Sequence, residues 1–254
     1  MEYDAGASLG IAQATVATLG AVMIIGLGYI HRPSRASLLW SLAFVLAMVS
    51  AWTVVIGESL GDELTRRIGL GLMLGAPAFI WSGFRARRAA PRLLVWIAPA
   101  QSVLSAAALV AIGPSPWYSL VFRLAFFFAA VFAALTLLEI RRSPDRHERL
   151  VYPLSLISAA FTVMGVFILI SGAIFPIRSG DGLEVVRTLN SLGMLIYLIC
   201  ASVSLLYFTS VSPVGMRTAS TWPHFTITAA DRLSRARAAG ETSWVVLVIR
   251  LDDP

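Results

Sequence analysis

Long apolar blocks dominate the chain. Each block holds roughly 20 residues, and short connections between the blocks carry most of the charge. A block of that length crosses a hydrocarbon core about 30 Å thick as an α-helix, because backbone groups in lipid must bond within their own segment. The blocks also lack the alternation of β-barrel strands. The pattern predicts seven transmembrane helices, at residues 9–30, 37–57, 68–84, 93–112, 118–140, 152–175 and 188–209.

Proline predicts a kink in two of the predicted spans. The third span, 68–84, is short, and Pro77 predicts a kink in it. Pro99 predicts the same in the fourth span, 93–112. Neighbouring helices can satisfy the carbonyl groups that a kink frees.

Composition agrees with a membrane protein. Of the 254 residues, 57% are hydrophobic and 13% are charged, against about 25% charged in soluble domains. Every basic residue is arginine, so a lysine Schiff base with retinal or pyridoxal is excluded, and so is a Walker-type phosphate loop. The acidic N-terminus lacks the positive start of a signal peptide, which indicates a retained first span.

The arginines are distributed unevenly between alternate connections. The connections on one side of the predicted membrane carry ten arginines, and the connections on the other side carry four. Cytoplasmic loops are the ones enriched in arginine. We therefore expect a membrane protein with its N-terminus outside and its C-terminus in the cytoplasm. The ten are Arg32, Arg35, Arg85, Arg87, Arg88, Arg92, Arg141, Arg142, Arg146 and Arg149; the four are Arg66, Arg67, Arg178 and Arg187.

Few ionisable residues lie within the spans. Arg123, Glu58 and Glu139 are near block ends, where long side chains reach the membrane surface, and we expect all three to do so. Arg123 is also the candidate ligand-binding residue, in an outward-facing pocket. No acidic residue or histidine stands at the middle of a span, which disfavours ion-coupled transport.

Other candidate residues predict packing rather than chemistry. Gly71-x-x-x-Gly75 permits close helix contact, within the bundle or, alternatively, between two copies of the chain. Cys200 is a lone cysteine in an apolar block, and the three histidines have no second ligand at helical spacing. The sequence therefore predicts no metal site and no catalytic residue in these spans.

A different composition begins after the last span. Residues 1–211 form the predicted seven-helix domain, residues 212–223 a linker, and residues 224–254 the opening of a cytoplasmic α/β module. In that module a helix ends at Gly240, and the β-branched run 244–251 has the pattern of a strand buried on both faces. Because one such strand has no partner, we expect an incomplete module, which makes the chain a fragment or, alternatively, makes the output module degenerate.

The tail Phe225-x₅-Asp231-Arg-Leu-Ser-Arg-Ala-Arg-Ala-Ala-Gly240, followed by Trp244-Val-Val-Leu-Val-Ile-Arg-Leu-Asp-Asp253, resembles the opening of a GGDEF (diguanylate cyclase) domain. The resemblance covers about 30 residues. It implies a first helix, a buried strand and an Asp-x-Asp whose first aspartate binds metal. With Asp252 at the second aspartate, Arg250 stands where the metal ligand belongs, and a guanidinium repels Mg²⁺.

The resemblance implies a bacterial sensor in the cytoplasmic (inner) membrane, whose spans pass a packing change to a cytoplasmic GGDEF-like output. We expect no cofactor in the chain itself, and GTP and Mg²⁺ only if a complete output domain of the cyclic di-GMP-making family follows. We expect no catalysis from the chain itself. The expected partners are the lipid bilayer, a second copy of the chain and an unknown small-molecule or membrane cue, without nucleic acid. The alternatives are a small-solute transporter and a non-catalytic membrane scaffold.

Overall fold

The computed structural model describes residues 5–143, 151–174, 180–210, 230 and 233–240. It divides the chain into two compact units, Met1–Val211 and Ser212–Pro254. The described part of the first unit is helical and forms no β-strand. Its helices are α1 (Ala5–Met23, continued by the π-helical segment Ile24–Tyr29), α2 (Arg35–Leu60), α3 (Glu63–Met73), α4 (Ala76–Arg87), α5 (Ile97–Ile112), α6 (Tyr118–Arg142), α7 (Val151–Ile174) and α8 (Gly180–Ser210).

Six stretches of the described residues are long and apolar enough to cross a membrane, which confirms that most predicted spans are helices. The stretch Glu63–Arg87 contains both α3 and α4. The six are Leu9–Tyr29, Arg35–Leu60, Glu63–Arg87, Tyr118–Arg142, Val151–Ile170 and Ser191–Thr209.

The predicted fourth span differs from a regular transmembrane helix. Only Ile97–Ile112 is helical, and these 16 residues reach about 24 Å. Residues 93–96 are not helical. Pro99 does not kink the helix, because it lies in the first turn, where its missing N–H has no helical partner.

The third span is interrupted near its proline. α3 ends at Met73, and α4 begins at Ala76 with Pro77 in its first turn. The carbonyl of Gly75 accepts the N–H groups of Ala78 and Phe79, so the turn between the helices is hydrogen-bonded. Pro77 therefore starts a new helix rather than bending one.

Side-chain caps fix where α2 and α3 begin. The hydroxyl of Ser34 accepts the N–H of Ser37, and the hydroxyl of Ser37 accepts the N–H of Ser34, both at 3.0 Å. Gly61, at φ 67°, ends α2 in the left-handed conformation. Asp62 then caps α3 through the N–H of Leu64.

Six helices pack in a closed ring, in the order α1, α2, α4, α6, α7, α8 and back to α1. α3 packs on α2 and α5, and α5 on α3, α4 and α6. Small residues let the backbones approach, as is typical of helices in lipid. Fully buried alanines at these interfaces include Ala14, Ala17, Ala47, Ala129 and Ala133.

The two ends of the bundle differ in charge. At one end, which we call the arginine end, the ring of Trp40 near the start of α2 lies 5.1 Å from Phe84 of α4 and 6.3 Å from Phe208 of α8. Among described residues, Glu139 is the one acidic side chain at this end. The arginines there are Arg32, Arg35, Arg85, Arg87, Arg88, Arg92, Arg141 and Arg142.

In the second unit the structure describes a helical stretch at 233–238 and the turn after it. Gly240 has φ 73°, the left-handed conformation common after helix C-termini. The predicted strand 244–251 lies outside the described residues, as do Arg250 and Asp252.

Candidate functional site

The most unusual side chain of the described bundle is Glu139, in the last turn of α6. The residue is 3% exposed, so its carboxylate is enclosed by protein. A buried carboxylate is costly unless it is paired and hydrogen-bonded. The pairing of Glu139 with arginine therefore explains why a glutamate is tolerated at this buried position of α6.

Two arginines hold Glu139: Arg85 in the last turn of α4 and Arg88 directly after that helix. Nη1 of Arg85 lies 3.0 Å from Oε1, and Nη2 of Arg88 lies 2.7 Å from Oε2, to which Nε of Arg88 also donates at 2.8 Å. Residues three apart share a helix face, so both guanidiniums reach the same carboxylate. Since charge-assisted bonds are the stronger class, the trio joins α4 firmly to α6.

Arg85 also shapes the connection between α4 and α5. Its guanidinium lies 5.1 Å from the centre of the Trp81 ring, and its Nε and Nη2 donate to the carbonyl of Arg92. Two non-glycine residues of this connection have positive φ, Ala89 at 53° and Leu94 at 50°. Such conformations persist where surrounding contacts impose them.

Arg87, between the two arginines that hold Glu139, contacts the last turns of α8. Its Nη1 donates to the carbonyl of Phe208 at 2.6 Å, and its guanidinium lies 4.9 Å from the Phe208 ring. The ring of Phe84 meets Phe208 edge-on at 5.5 Å, and the Trp40 indole donates to the carbonyl of Ile80 at 3.2 Å. The C-terminal end of α8 is therefore tied to α4 and α2.

α1 contacts the same end of α8. A Cβ atom on Gly28, in the π-helical segment, would lie 2.7 Å from Oγ1 of Thr209, so glycine is required for this approach. Thr209 uses its hydroxyl to donate to the carbonyl of Leu206. π-Helical segments inside helices are frequent at functional sites.

We call this arrangement the arginine clamp: Glu139 with Arg85 and Arg88, and Arg87 with Phe208. One carboxylate lies between two guanidiniums, so that trio keeps a positive charge. The charge sits at the edge of an apolar bundle, where electrostatic interactions are stronger than in water. The clamp can transmit movement between α6, α4 and α8, and it can attract an anion.

The opposite end holds a weaker charged group. Glu63 pairs with Arg66 at 2.7 Å and with Arg67 at 3.5 Å, but its side chain is 57% exposed. Surface pairs of this kind contribute little. Arg67 also lies 5.2 Å from the centre of the Tyr118 ring, which joins α3 to α6.

Arg123, the sequence-predicted ligand-binding residue, is half-buried on α6. It forms no hydrogen bond or ion pair with the residues that the structure describes, and no other candidate residue is brought to it. Gly71 and Gly75 both lie against α5: a Cβ on Gly71 would be 2.3 Å from Cα of Ala106, and one on Gly75 would overlap Ser102. Glu58 is exposed at the end of α2.

Within the described residues, no three His, Cys, Asp or Glu side chains come together as metal ligands. The positions that the GGDEF resemblance assigns to metal, Arg250 and Asp252, lie outside those residues.

The fold defines the class: an α-helical protein with several helices long and apolar enough to cross a membrane. No protein-family model, no curated protein and no solved structure matches the chain.

The clamp was missed because each of its residues had a simpler explanation in the sequence. The arginines fit the charge rule for cytoplasmic loops, and Glu139 lies near a block end. The available signal was the spacing Arg85-x-x-Arg88 at the end of one apolar block, with a lone glutamate at the corresponding end of another.

Proposed function

We propose that this chain is the membrane-embedded sensor region of a bacterial signalling protein with a cytoplasmic GGDEF-like output after α8. The arginine clamp is the observation that carries the proposal. It ties the last turns of α8, from which the chain continues to that output, to α4 and, through Glu139, to α6. A small-molecule or membrane cue that repacks α6 or α4 then changes the position of the end of α8.

The proposal includes a topology of seven crossings, with the arginine end in the cytoplasm and the N-terminus outside. The charge difference between the two ends supports this orientation. α5 and the apolar residues 93–96 before it make the additional crossing, which brings the C-terminus to the arginine end. The membrane is the bacterial inner membrane, and a second copy of the chain is a candidate partner.

The output in this proposal does not catalyse, because Arg250 replaces a metal-binding aspartate of the family that the tail resembles. GTP and Mg²⁺ would be ligands of a complete output domain, not of the bundle. A regulatory role through partner or nucleotide binding remains compatible with that substitution.

A small-solute transporter is the second candidate, and the break between α3 and α4 favours it. Transporter sites commonly form where helices are discontinuous. Near this break Nε2 of Gln13, which is 6% exposed, lies 3.0 Å from Sδ of Met73. The tight contacts of Gly71 and Gly75 with α5 leave the break packed against protein.

Hydrogen–deuterium exchange on the full chain in nanodiscs tests the sensor proposal. Glu139→Gln removes the carboxylate of the clamp and serves as a substitute for the unknown cue. We expect faster exchange in α4 and α6, and also at the end of α8 and in residues 233–240. Glu58→Gln, the same change at the exposed end of α2, is the matched control and should leave those regions unchanged.

An effect of Glu139→Gln confined to α4 and α6 would contradict coupling to the output. Proteoliposomes test the alternative in parallel, with radiolabelled amino acids, sugars and nucleosides as probes. Uptake above that of empty liposomes, without a change in exchange at 233–240, would favour the transporter.

A further inference from the structure

We propose that the arginine end binds the phosphate of an anionic glycerophospholipid, through Arg88, Arg92 and Arg142. This inference concerns the lipid partner of the bundle and does not depend on the proposed output.

The three arginines have unused N–H groups. Nε and Nη2 of Arg88 donate to Glu139, and its Nη1 donates to no described residue. The side chain of Arg88 is 27% exposed. Arg92 and Arg142 are exposed, and neither guanidinium bonds to any residue that the structure describes. Arginine is the residue best suited to bind phosphate, because its donors are arranged in a planar fork.

The contacts of Arg85 and the residue spacing on α6 bring these donors to one region. Arg85 joins the carbonyl of Arg92 to the carboxylate of Glu139, so the backbone at Arg92 lies beside the clamp. Arg142 follows Glu139 by three residues on α6, which places it on the same helix face. Arg88 completes the group from the end of α4.

The clamp also holds its part of the site in advance of binding. Glu139 fixes the guanidinium of Arg88, and Arg85 fixes the connection that carries Arg92, where Ala89 and Leu94 have positive φ. A preorganised site loses less conformational entropy when it binds. Among the residues that the structure describes, the single carboxylate at this end is used by two arginines, so the described side chains leave positive charge for an external anion.

The surroundings favour a lipid headgroup as the source of the phosphate. Four residues after Arg92, Trp96 is 67% exposed, and Tyr152 at the start of α7 is 65% exposed. Exposed tryptophan and tyrosine at span ends mark the level of lipid headgroups. Basic pockets between helices on the cytoplasmic side are a known type of anionic-lipid site.

The test is native mass spectrometry of the full chain in detergent, titrated with phosphatidylglycerol or with phosphatidylcholine as the zwitterionic lipid. We expect phosphatidylglycerol to bind about tenfold more tightly. The double variant Arg92→Gln/Arg142→Gln should lose about tenfold in phosphatidylglycerol affinity and keep its affinity for phosphatidylcholine. Neither side chain bonds to the described fold, so the variant should remain folded.

The matched control is Arg35→Gln/Arg141→Gln, which removes two exposed arginines from the same end. Because Arg141 is two residues from Glu139, it points away from the clamp face. The control should change phosphatidylglycerol affinity less than about twofold. An equal loss in both double variants would show general charge attraction and overturn the proposal. Equal binding of the two lipids would overturn it too, and so would displacement of phosphatidylglycerol by millimolar inorganic phosphate.

Discussion

Arg88, directly after α4, and Glu139 of α6 are 51 residues apart and joined twice: Nε and Nη2 of the arginine both contact Oε2 of the glutamate, at 2.8 and 2.7 Å. Arg85 occupies the other oxygen, so both carboxylate oxygens are used. The glutamate is buried, whereas the arginines reach the surface with part of their side chains. Replacing the glutamate and replacing one of the two arginines should therefore lower the free energy of unfolding by different amounts.

The first prediction is that Glu139→Gln destabilises the bundle by roughly 1–3 kcal/mol. The amide keeps the size of the side chain but leaves two guanidiniums without a counter-ion at a buried position. Equilibrium unfolding in mixed micelles gives the free energy. Glu58→Gln, at an exposed position, should lie within about 0.5 kcal/mol of the wild type.

Arg88→Gln should cost less than Glu139→Gln, because Arg85 then remains to pair with the buried carboxylate. Equal losses for the two variants would show that the trio does not behave as one carboxylate shared by two bases. Removal of both Arg85 and Arg88 should exceed the sum of the single losses, because only the double variant leaves Glu139 unpaired.

The second prediction concerns the contact between α3 and α5. Gly71→Ala should destabilise the bundle by about 1–3 kcal/mol, because the added methyl would meet Cα of Ala106 at 2.3 Å, and backbone cannot move aside easily. The same unfolding assay measures the loss.

Gly26→Ala makes the identical change where nothing lies within 4 Å of the new Cβ atom. It should be neutral or slightly stabilising, since alanine favours a helix more than glycine does. If Gly26→Ala were as damaging as Gly71→Ala, the cause would be a general sensitivity to helix composition rather than close packing.

Block length and hydropathy were sufficient to predict most of the helices. The bounds of α2, α6 and α7 lie within a few residues of the predicted spans, because a bilayer imposes a minimum length that the sequence displays directly. The interruption at Leu74 and Gly75 was only partly foreseen, since Pro77 indicates a disturbance without specifying a new helix start.

The arginine clamp could not be predicted in the same way. Its partners are joined across 51 and 54 residues, and the sequence does not state how helices pair around a ring. Charge rules assign arginines to a side of the membrane, but they do not distinguish an arginine in solvent from one bound to a buried glutamate. The contact between Trp40, Phe84 and Phe208 likewise depends on how α2, α4 and α8 pack in the bundle, which the sequence does not state.

The third prediction is a pH dependence at the start of α3. The hydroxyl of Thr65 and then the N–H of Leu64 donate to Asp62 and hold the pKa of its carboxyl below the ordinary value of 3.8. A lowered folded-state pKa contributes stability above the unfolded value, and that contribution disappears as the pH falls through the folded value. The wild type should therefore exceed Asp62→Asn in Tm at neutral pH, and the two should converge in acid.

Thermal unfolding measured from about pH 6 to about pH 3 provides the comparison. Thr65→Val removes the hydroxyl that makes the largest contribution to the lowered pKa, so it should reduce the pH-dependent part of the Tm difference. A difference between the wild type and Asp62→Asn that is the same at every pH would contradict the assignment.

The last prediction decides whether α5 crosses the membrane. If residues 93–112 cross, then Arg92 and Pro116, both exposed, lie on opposite sides. In a Cys200→Ser background, Pro116→Cys should react with a membrane-impermeant maleimide on intact cells, and Arg92→Cys only after lysis. The same assay at Arg35→Cys should match Arg92→Cys, because both residues belong to the arginine end.

The reason to expect a crossing is that residues 93–96 are apolar and extend the reach of the 16-residue helix to that of a full span. Backbone groups without helical hydrogen bonds at these four residues need other partners within a membrane. α4 and α6 pack against α5, so protein rather than lipid lies beside it on those sides. If Arg92→Cys and Pro116→Cys react from the same side, α5 re-enters the membrane instead of crossing it. α6 would then begin on the side where α4 ends, and this result would contradict the contacts of Glu139 that place the end of α6 beside the end of α4.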